Sequence, residues 1–255
     1  MVQYGGALFI GIIVGFLGGL FGKGGSAIAT PMLSLIGLPG FVAVASPLPA
    51  TVPGTFIASL EYWKSNLLDW QIVRWSVFLG IPATIVGSYL TKYTGATPLL
   101  IITGIMVLGF GLSFLLSPRE RGRSSRPDDS ATLVRPSHWQ LRLVLVATSV
   151  GLISGLLANS GGFLLAPSYA RILDQPIKKA FACSLAASMV LALPGTIVHA
   201  YLGHIDWMVT LCMALGSVPC SFLGARLAVN TKPGKLERWY GLALSTLGAF
   251  FLLRL

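Results

Sequence analysis

Apolar residues dominate the chain in ten segments, which are separated by short polar or glycine-containing breaks. Five segments lie before the middle of the chain, at about 4–22, 25–38, 41–63, 72–90 and 98–116. Five more follow, at about 139–157, 161–173, 180–202, 207–229 and 239–253. Most of them approach the roughly 20 helical residues that cross about 30 Å of hydrocarbon. The pattern predicts an all-α polytopic membrane protein.

One hydrophilic stretch, Ser117 to His138, separates the two sets of segments. Its proline, serine and charged residues are typical of a flexible linker that has no packed core. We therefore divide the chain into a first membrane repeat at 1–116, a hydrophilic linker at 117–138 and a second membrane repeat at 139–255.

The two sets of segments repeat each other in sequence. The stretch GGLFGKGGSAIATP, Gly18 to Pro31, aligns without a gap with SGLLANSGGFLLAP, Ser154 to Pro167. With one residue gained near Phe41, the alignment continues and pairs Ser46, Leu48 and Ala50 with Cys183, Leu185 and Ala187, and Asp69-Trp70 with Asp206-Trp207. Agreement over this length indicates a duplicated unit.

The first two segments of each repeat permit two interpretations. They either cross the membrane twice or form a re-entrant hairpin, and the repeat makes an odd number of crossings in both cases. The second segment has about 14 residues, or about 21 Å of helix, which is short for a crossing and favours the hairpin. The prediction is therefore two inverted-topology repeats, each with a short broken or re-entrant helical hairpin followed by three spanning helices.

Composition agrees with a membrane protein, because 54% of the residues are hydrophobic and only 10% are charged. Soluble domains carry about 25% charged residues. The net charge of +10 lies in short loops and the linker, where it sets orientation and does not indicate nucleic-acid binding. The basic residues predict an integral protein of the cell inner membrane with a cytoplasmic linker and both termini outside.

The glycine-rich tips of the two hairpins are the first candidate binding site. Backbone N–H groups at a helix start, together with the helix dipole, favour a bound anion. The candidate residues are Gly22, Lys23, Gly24, Gly25 and Ser26 in the first tip, and Asn159, Ser160, Gly161 and Gly162 in the second. The alternative is that these small residues only permit close helix packing.

Lys23 is the only charged residue between Met1 and Leu60. A lysine at membrane depth costs roughly 3 kcal/mol and is usually functional, which supports an anion site. The alternative is an inner-loop lysine whose ammonium group reaches the headgroups. The surrounding GKGGS lacks the glycine spacing of a phosphate-binding loop, so we reject a nucleotide hydrolase.

The third segment of each repeat adds a second layer of candidates, namely Ser46, Thr51, Cys183 and Ser184. Prolines in these segments suggest helix breaks that line a cavity, although kinked packing helices explain them equally well. No His, Cys, Asp and Glu set has metal-ligand spacing, and neither metal nor cofactor is expected. No paired nucleophile and base stands out either, which argues against the alternative of an intramembrane enzyme using Lys23 or Cys183.

The doubled tip motif, the segments AVASPLPAT and AFACSLAAS, and the Asp-Trp after each of them resemble the TauE/SafE sulfite exporter family over nearly the whole chain. The resemblance implies a membrane transporter, in the exporting direction, of small sulfur-containing anions such as sulfite or organosulfonates. Lys23 and Asn159 depart from the family by being polar. The implied partners are the small anion and the lipid bilayer, with a homo-oligomer left open. Transport by alternating access is expected, with an anion channel as the alternative.

Overall fold

The computed structural model describes residues 2–22, 26–90, 96–116, 138–156 and 161–253, and all regular structure in these ranges is α-helical. Six of the described helices are long and apolar enough to cross a membrane. The prediction of an all-α membrane protein is confirmed. Most of the linker at 117–138 lies outside the described residues, as far as residue 137.

The described helices follow the predicted segments closely. The first half contains α1 (Val2–Phe21), α2 (Ser26–Leu35), α3 (Gly40–Ala45), α4 (Pro47–Lys64), α5 (Trp70–Leu90) and α6 (Ala96–Leu116). The second half contains α7 (Trp139–Leu156), α8 (Gly162–Arg171), α9 (Ile177–Tyr201), α10 (Trp207–Asn230) and α11 (Pro233–Leu253). The third segment of the first half is divided at Ser46 into α3 and α4, whereas its counterpart α9 is continuous despite Pro194.

The two arms of each hairpin differ in length. Helices α1 and α7 have 20 and 18 residues, whereas α2 and α8 have 10 residues each. Ten residues extend roughly 15 Å, about half of the hydrocarbon thickness. The hairpin is therefore short only in its second arm, and its first arm has the length of a spanning helix.

The first arms pack closely against helices from the other half, α1 along α10 and α7 along α5. A Cβ atom added to Gly15 would collide with the backbone of Ser217, and one added to Gly151 would collide with Gly80. Small residues let two helix backbones approach and improve their van der Waals packing in lipid. Close helix packing therefore accounts for Gly15 and Gly151, which lie within the helices.

Equivalent contacts join the two halves at opposite ends of α4. Near its start, the Ser46 hydroxyl accepts a hydrogen bond from the Asp206 N–H at 3.0 Å. Beyond its end, the Asp69 N–H donates to the Cys183 sulfur at 3.3 Å. Since Cys183 is near the start of α9 and Asp206 follows its end, α4 and α9 run antiparallel in contact.

The outside of the helix bundle is apolar. Large hydrophobic side chains are exposed on spanning helices of both halves, including Phe78 at 73% and Ile197 at 69% of their maximum. Soluble monomers rarely carry large contiguous apolar patches. This surface suits a lipid environment, in agreement with the six apolar helices.

The core is centred on the second half, around α8 and α9. Every residue of α8 from Gly162 to Ala170 is buried, whereas Leu35 at the end of α2 is 64% exposed. An aromatic cluster next to the tips joins Phe21, Phe114, Phe181 and Tyr240, with the Phe181 and Tyr240 rings 4.7 Å apart. Helix α8 is therefore held in the centre of the bundle, whereas α2 lies nearer to its edge.

Candidate functional site

The two glycine-rich tips meet at Ser184 on α9. Its hydroxyl lies 2.9 Å from the carbonyl oxygen of Gly22 and 3.0 Å from that of Gly162. Gly22 follows α1 in the first half, and Gly162 begins α8 in the second. A serine hydroxyl carries one proton, so it donates to one of these two carbonyls at a time. One buried hydroxyl thus links both tips.

Gly22 fits its position because it has no side chain. Its φ angle is +66°, and a Cβ atom added there would lie 2.5 Å from the Cα atom of Phe181. A residue with a side chain would meet both an unfavourable backbone conformation and a collision with α9. The first tip therefore rests directly on the backbone of α9.

The second tip lies at the N-terminus of α8. Gly161 has a φ angle of +73°, and its carbonyl accepts hydrogen bonds from the N–H groups of Leu164 and Leu165, each at 3.0 Å. The N–H groups of Gly162 and Phe163 lie in the first turn, where an α-helix has no internal acceptor for them. Together with the helix dipole, such donors favour negative charge at this point.

Ser154, which the sequence reasoning did not single out, lies beside the second tip. It is 1% exposed, and its hydroxyl makes no hydrogen bond within the described part of the chain. A Cβ atom on Gly161 would collide with this hydroxyl, so Ser154 lies directly beside the second tip. An unpaired buried hydroxyl costs about 1–3 kcal/mol, which a bound ligand would offset. The available signal was that Ser154 stands where the first copy has Gly18.

Comparison with known proteins identifies the family. The family model described as Sulfite exporter TauE/SafE matches residues 7–251. The chain belongs to this family. The resemblance noted from the tip motifs is thus confirmed, and this TauE/SafE protein is a membrane transporter.

Relatives of this TauE/SafE protein are named as probable membrane transporters. YunE of Bacillus subtilis (strain 168) is 25% identical, with 88% of this chain and 87% of the relative covered. A protein of Xylella fastidiosa (strain 9a5c) is 26% identical, with 96% and 93% covered. MJ0441 of Methanocaldococcus jannaschii is 25% identical, with 96% and 94% covered. No solved structure matches the chain significantly.

The remaining candidates at the tips of the TauE/SafE protein are only partly located. Five of them lie outside the described residues, namely Lys23, Gly24, Gly25, Asn159 and Ser160. Ser26 is the first residue of α2. The structure therefore brings Gly22, Gly161, Gly162 and Ser184 together.

The candidates of the second layer are separated by the structure. Ser46 and Cys183 bind the backbone at Asp206 and Asp69, respectively, and thus hold loops of the opposite half. Thr51 lines a small cavity between α1, α4, α9 and α10. Ser184, the neighbour of Cys183 in sequence, is the one that contacts both tips.

Cys183 has no catalytic surroundings among the described residues of the TauE/SafE protein. Its hydrogen bonds go to the backbone of Asp69, accepting from the N–H at 3.3 Å and donating to the carbonyl oxygen at 3.7 Å. No group of three or more His, Cys, Asp or Glu side chains that could hold a metal ion occurs in the described ranges. The thiol is thus placed as a buried packing residue.

Proposed function

We propose that this TauE/SafE protein exports a small sulfur-containing anion, of the sulfite or organosulfonate class, which binds between the two glycine-rich tips. The observation that carries the proposal is the meeting of both tips at the Ser184 hydroxyl. Two segments from different halves then contribute to one site. Movement of one tip alone would be enough to close such a site from one side of the membrane.

Local electrostatics support an anion. The helices that follow the tips, α2 and α8, begin at Ser26 and Gly162, so two helix N-termini start at the site. Each terminus contributes partial positive charge and N–H donors that lack helical acceptors. The Ser154 hydroxyl adds a donor of its own. Lys23, which lies between Gly22 and Ser26 in the sequence, completes the proposed site with a full positive charge.

Alternating access follows from an inverted duplication. The antiparallel arrangement of α4 and α9 supports it, as do their equivalent contacts at opposite ends. Turn geometry repeats as well, because positive φ angles at Gly37 and Asn66 recur at Asp174 and Gly203. In transporters built from inverted repeats, the site lies near the midplane between the repeats and opens to one side at a time.

Orientation is proposed from the basic residues at one end of the bundle. The Lys178 ammonium donates to the Val229 carbonyl, and Arg171 pairs with Glu237, so the loops before α9 and α11 lie side by side. Described basic residues at this end are Lys64, Arg74, Arg142, Arg171, Lys178, Lys179, Arg226, Lys232, Lys235 and Arg238. We assign this end and the linker to the cytoplasm, and both termini to the outside of the inner membrane.

Isothermal titration with purified protein tests the site through Lys23. We expect binding of at least one anion among sulfite, sulfate, thiosulfate, taurine and sulfoacetate. Lys23→Gln should weaken it by about 30-fold or more, because removing one partner of a desolvated charge pair costs roughly 2–5 kcal/mol. Lys23→Arg should retain part of the affinity, since the charge remains but the wider guanidinium must fit beside glycines.

Three outcomes would contradict the proposal. Wild-type affinity in Lys23→Gln, with an unchanged melting temperature, would remove Lys23 from the site and favour an ammonium group that reaches the headgroups. Flux in proteoliposomes that neither saturates nor shows counterflow would replace the transporter by an anion channel. A chemically altered anion after incubation with the protein would instead indicate an intramembrane enzyme.

A further inference from the structure

A small cavity, distinct from the tip junction, lies between α1, α4, α9 and α10. Its volume is about 20 Å³, which accommodates an occupant about as large as one water molecule. Four hydroxyl side chains line it from two helices, namely Thr51 and Thr55 on α4 and Ser217 and Ser221 on α10. Such a volume is too small for a sulfur oxyanion.

The four hydroxyls present acceptors to the cavity, because each already donates its proton to a backbone carbonyl. The distances from the donor hydroxyl oxygen to the acceptor carbonyl oxygen are 2.8 Å from Thr51 to Leu48, 2.8 Å from Thr55 to Thr51, 3.1 Å from Ser221 to Gly15 and 3.3 Å from Ser217 to Ala214. What remains on each oxygen is lone-pair density. A wall of this kind suits a cation and does not suit an anion.

The end of α1 adds negative potential on the third side. Gly18 and Gly19 line the cavity within the last turn of this helix, which ends at Phe21, and the Gly19 carbonyl accepts a hydrogen bond from the Tyr62 hydroxyl at 3.1 Å. The last carbonyls of a helix lack internal donors and carry partial negative charge. In transporters with broken helices, such C-terminal ends coordinate the coupling cation. Among the described residues, no carboxylate lines the cavity, which favours a monovalent ion, since calcium sites use several carboxylates.

The other half provides an internal comparison. At the equivalent positions, Ser217 is replaced by Gly80 and Thr55 by Ala192, so two of the four hydroxyls are lost. Gly54 is replaced by Leu191, whose side chain approaches within 2.9 Å of a Cβ atom added to Gly80. The equivalent space is therefore filled by a leucine. The hydroxyl-lined cavity is therefore not explained by duplication alone. It lies beside α1, the helix that leads into the first tip.

We propose that this cavity is a sodium site, in which Na⁺ without its hydration shell is held by the hydroxyl oxygens of Thr51, Thr55, Ser217 and Ser221. The ion sits beside the C-terminal end of α1, one turn before Gly22. Binding therefore orders the helix that leads into the first tip. Coupling of Na⁺ to anion movement rests on the proposed function, whereas Na⁺ binding itself does not.

Melting of the purified full chain in detergent, without any substrate anion, tests the site. Sodium chloride is titrated against choline chloride at constant ionic strength, and potassium chloride serves as a second control. We expect Na⁺ to raise the melting temperature in a saturable way and K⁺ to have at most a small effect. Thr51→Val and Ser221→Ala should each raise the half-saturating Na⁺ concentration at least about tenfold.

The matched controls are Ser188→Ala and Thr84→Val, which remove the equivalent hydroxyls of the other half. Both should retain wild-type Na⁺ dependence, although each removes a buried hydroxyl. A melting temperature that is the same in sodium and choline, or unchanged half-saturation in both Thr51→Val and Ser221→Ala, would overturn the site. Na⁺ stabilisation with anion flux that is independent of Na⁺ would keep the site and remove only the coupling.

Discussion

At the scale of single residues, Ser184 controls whether the two tips share a partner. Its hydroxyl is within hydrogen-bonding distance of two carbonyls but has one proton to donate. The equivalent residue of the first half is Pro47, which has no hydroxyl. The first half therefore supplies no equivalent hydroxyl to the junction. The Ser184 hydroxyl proton can move from the carbonyl of one tip to that of the other without any other side chain changing partner.

Ser184→Ala should loosen the tips from each other. Both carbonyls would then be left without this donor in a buried place, which costs about 1–3 kcal/mol. We expect a lower melting temperature and slower crosslinking between cysteines placed at Ser26 and Ser160 in a cysteine-free background. Ser188→Ala is the control, since this hydroxyl lies one turn further on and donates only within α9, to the Ser184 carbonyl at 2.6 Å. Equal crosslinking rates in the two variants would contradict the role of Ser184.

The sequence predicted these residues only in part, because a shared segment does not show in which direction each side chain points. The repeat placed Cys183 and Ser184 in one candidate layer, but successive helical residues point about 100° apart. One therefore faces the Asp69 loop and the other the tips. Ser154 was missed because a lone serine in an apolar helix carries no signal of its own, and only the difference from its counterpart Gly18 marks it.

At the scale of helices, Arg171 fastens the short arm α8 to its neighbours. Its guanidinium lies 3.2 Å from the Glu237 carboxylate on α11 and 2.9 Å from the Ser113 carbonyl on α6. It also stacks over the Phe114 ring at 4.0 Å. The equivalent residue at the end of α2 is the exposed Leu35. The two short arms are therefore held differently, and the ionic anchor belongs to α8.

Glu237→Gln should destabilise the protein strongly. Both side chains of the pair are nearly buried, with 10% and 4% exposed, so the variant leaves a buried cation without its carboxylate. Breaking such a pair costs about 3–5 kcal/mol, whereas replacing both partners is often neutral. We expect Arg171→Met with Glu237→Met to recover much of the loss in melting temperature.

The exposed pair of Arg142 and Asp174 is the matched control for Glu237→Gln. Its side chains are 44% and 43% exposed at a separation of 3.5 Å. Asp174→Asn should change stability by no more than about 1 kcal/mol, and asparagine tolerates the positive φ angle there. A loss as small for Glu237→Gln as for Asp174→Asn would show that the buried pair does not hold α8.

Helix positions were predictable from the apolar segments, but helix partners were not. Long charge-free runs determine where helices form, because every backbone group in lipid must be satisfied within the helix. The pairing of α1 with α10 and of α7 with α5 depends on glycines such as Gly15 and Gly151, whose neighbours lie about 70 to 200 residues away. Spacing along one segment does not reveal such partners.

At the scale of the whole molecule, the backbone geometry of the two halves matches at several equivalent positions but not throughout. Proline begins the third segment of both halves with the same geometry, at Pro39 and Pro176, with φ near −55° and ψ near 142°. The tips and the cavities beside them differ, since Ser184, Ser154 and the hydroxyls around Thr51 have no full counterparts. A duplicated frame with unequal sites separates the roles of the two tips.

Labelling of two equivalent turns tests the inverted orientation. Asn66 and Gly203 follow the third apolar segment of their halves and have similar backbone geometry, with φ angles of 53° and 69°. In an inverted pair they lie on opposite faces of the membrane. Cysteines placed there in a cysteine-free background should react with an impermeant thiol reagent from the cytoplasmic side at Asn66 and from the outside at Gly203.

The matched geometry makes this comparison independent of local strain, because both turns are exposed and both have a positive φ angle. A cysteine at Ser125 in the linker marks the cytoplasmic face and should behave like Asn66. If Asn66 and Gly203 react from the same face, the halves are parallel and alternating access between inverted repeats is wrong. If they react from opposite faces but Ser125 follows Gly203, the inversion stands and the assignment of the basic end to the cytoplasm is reversed.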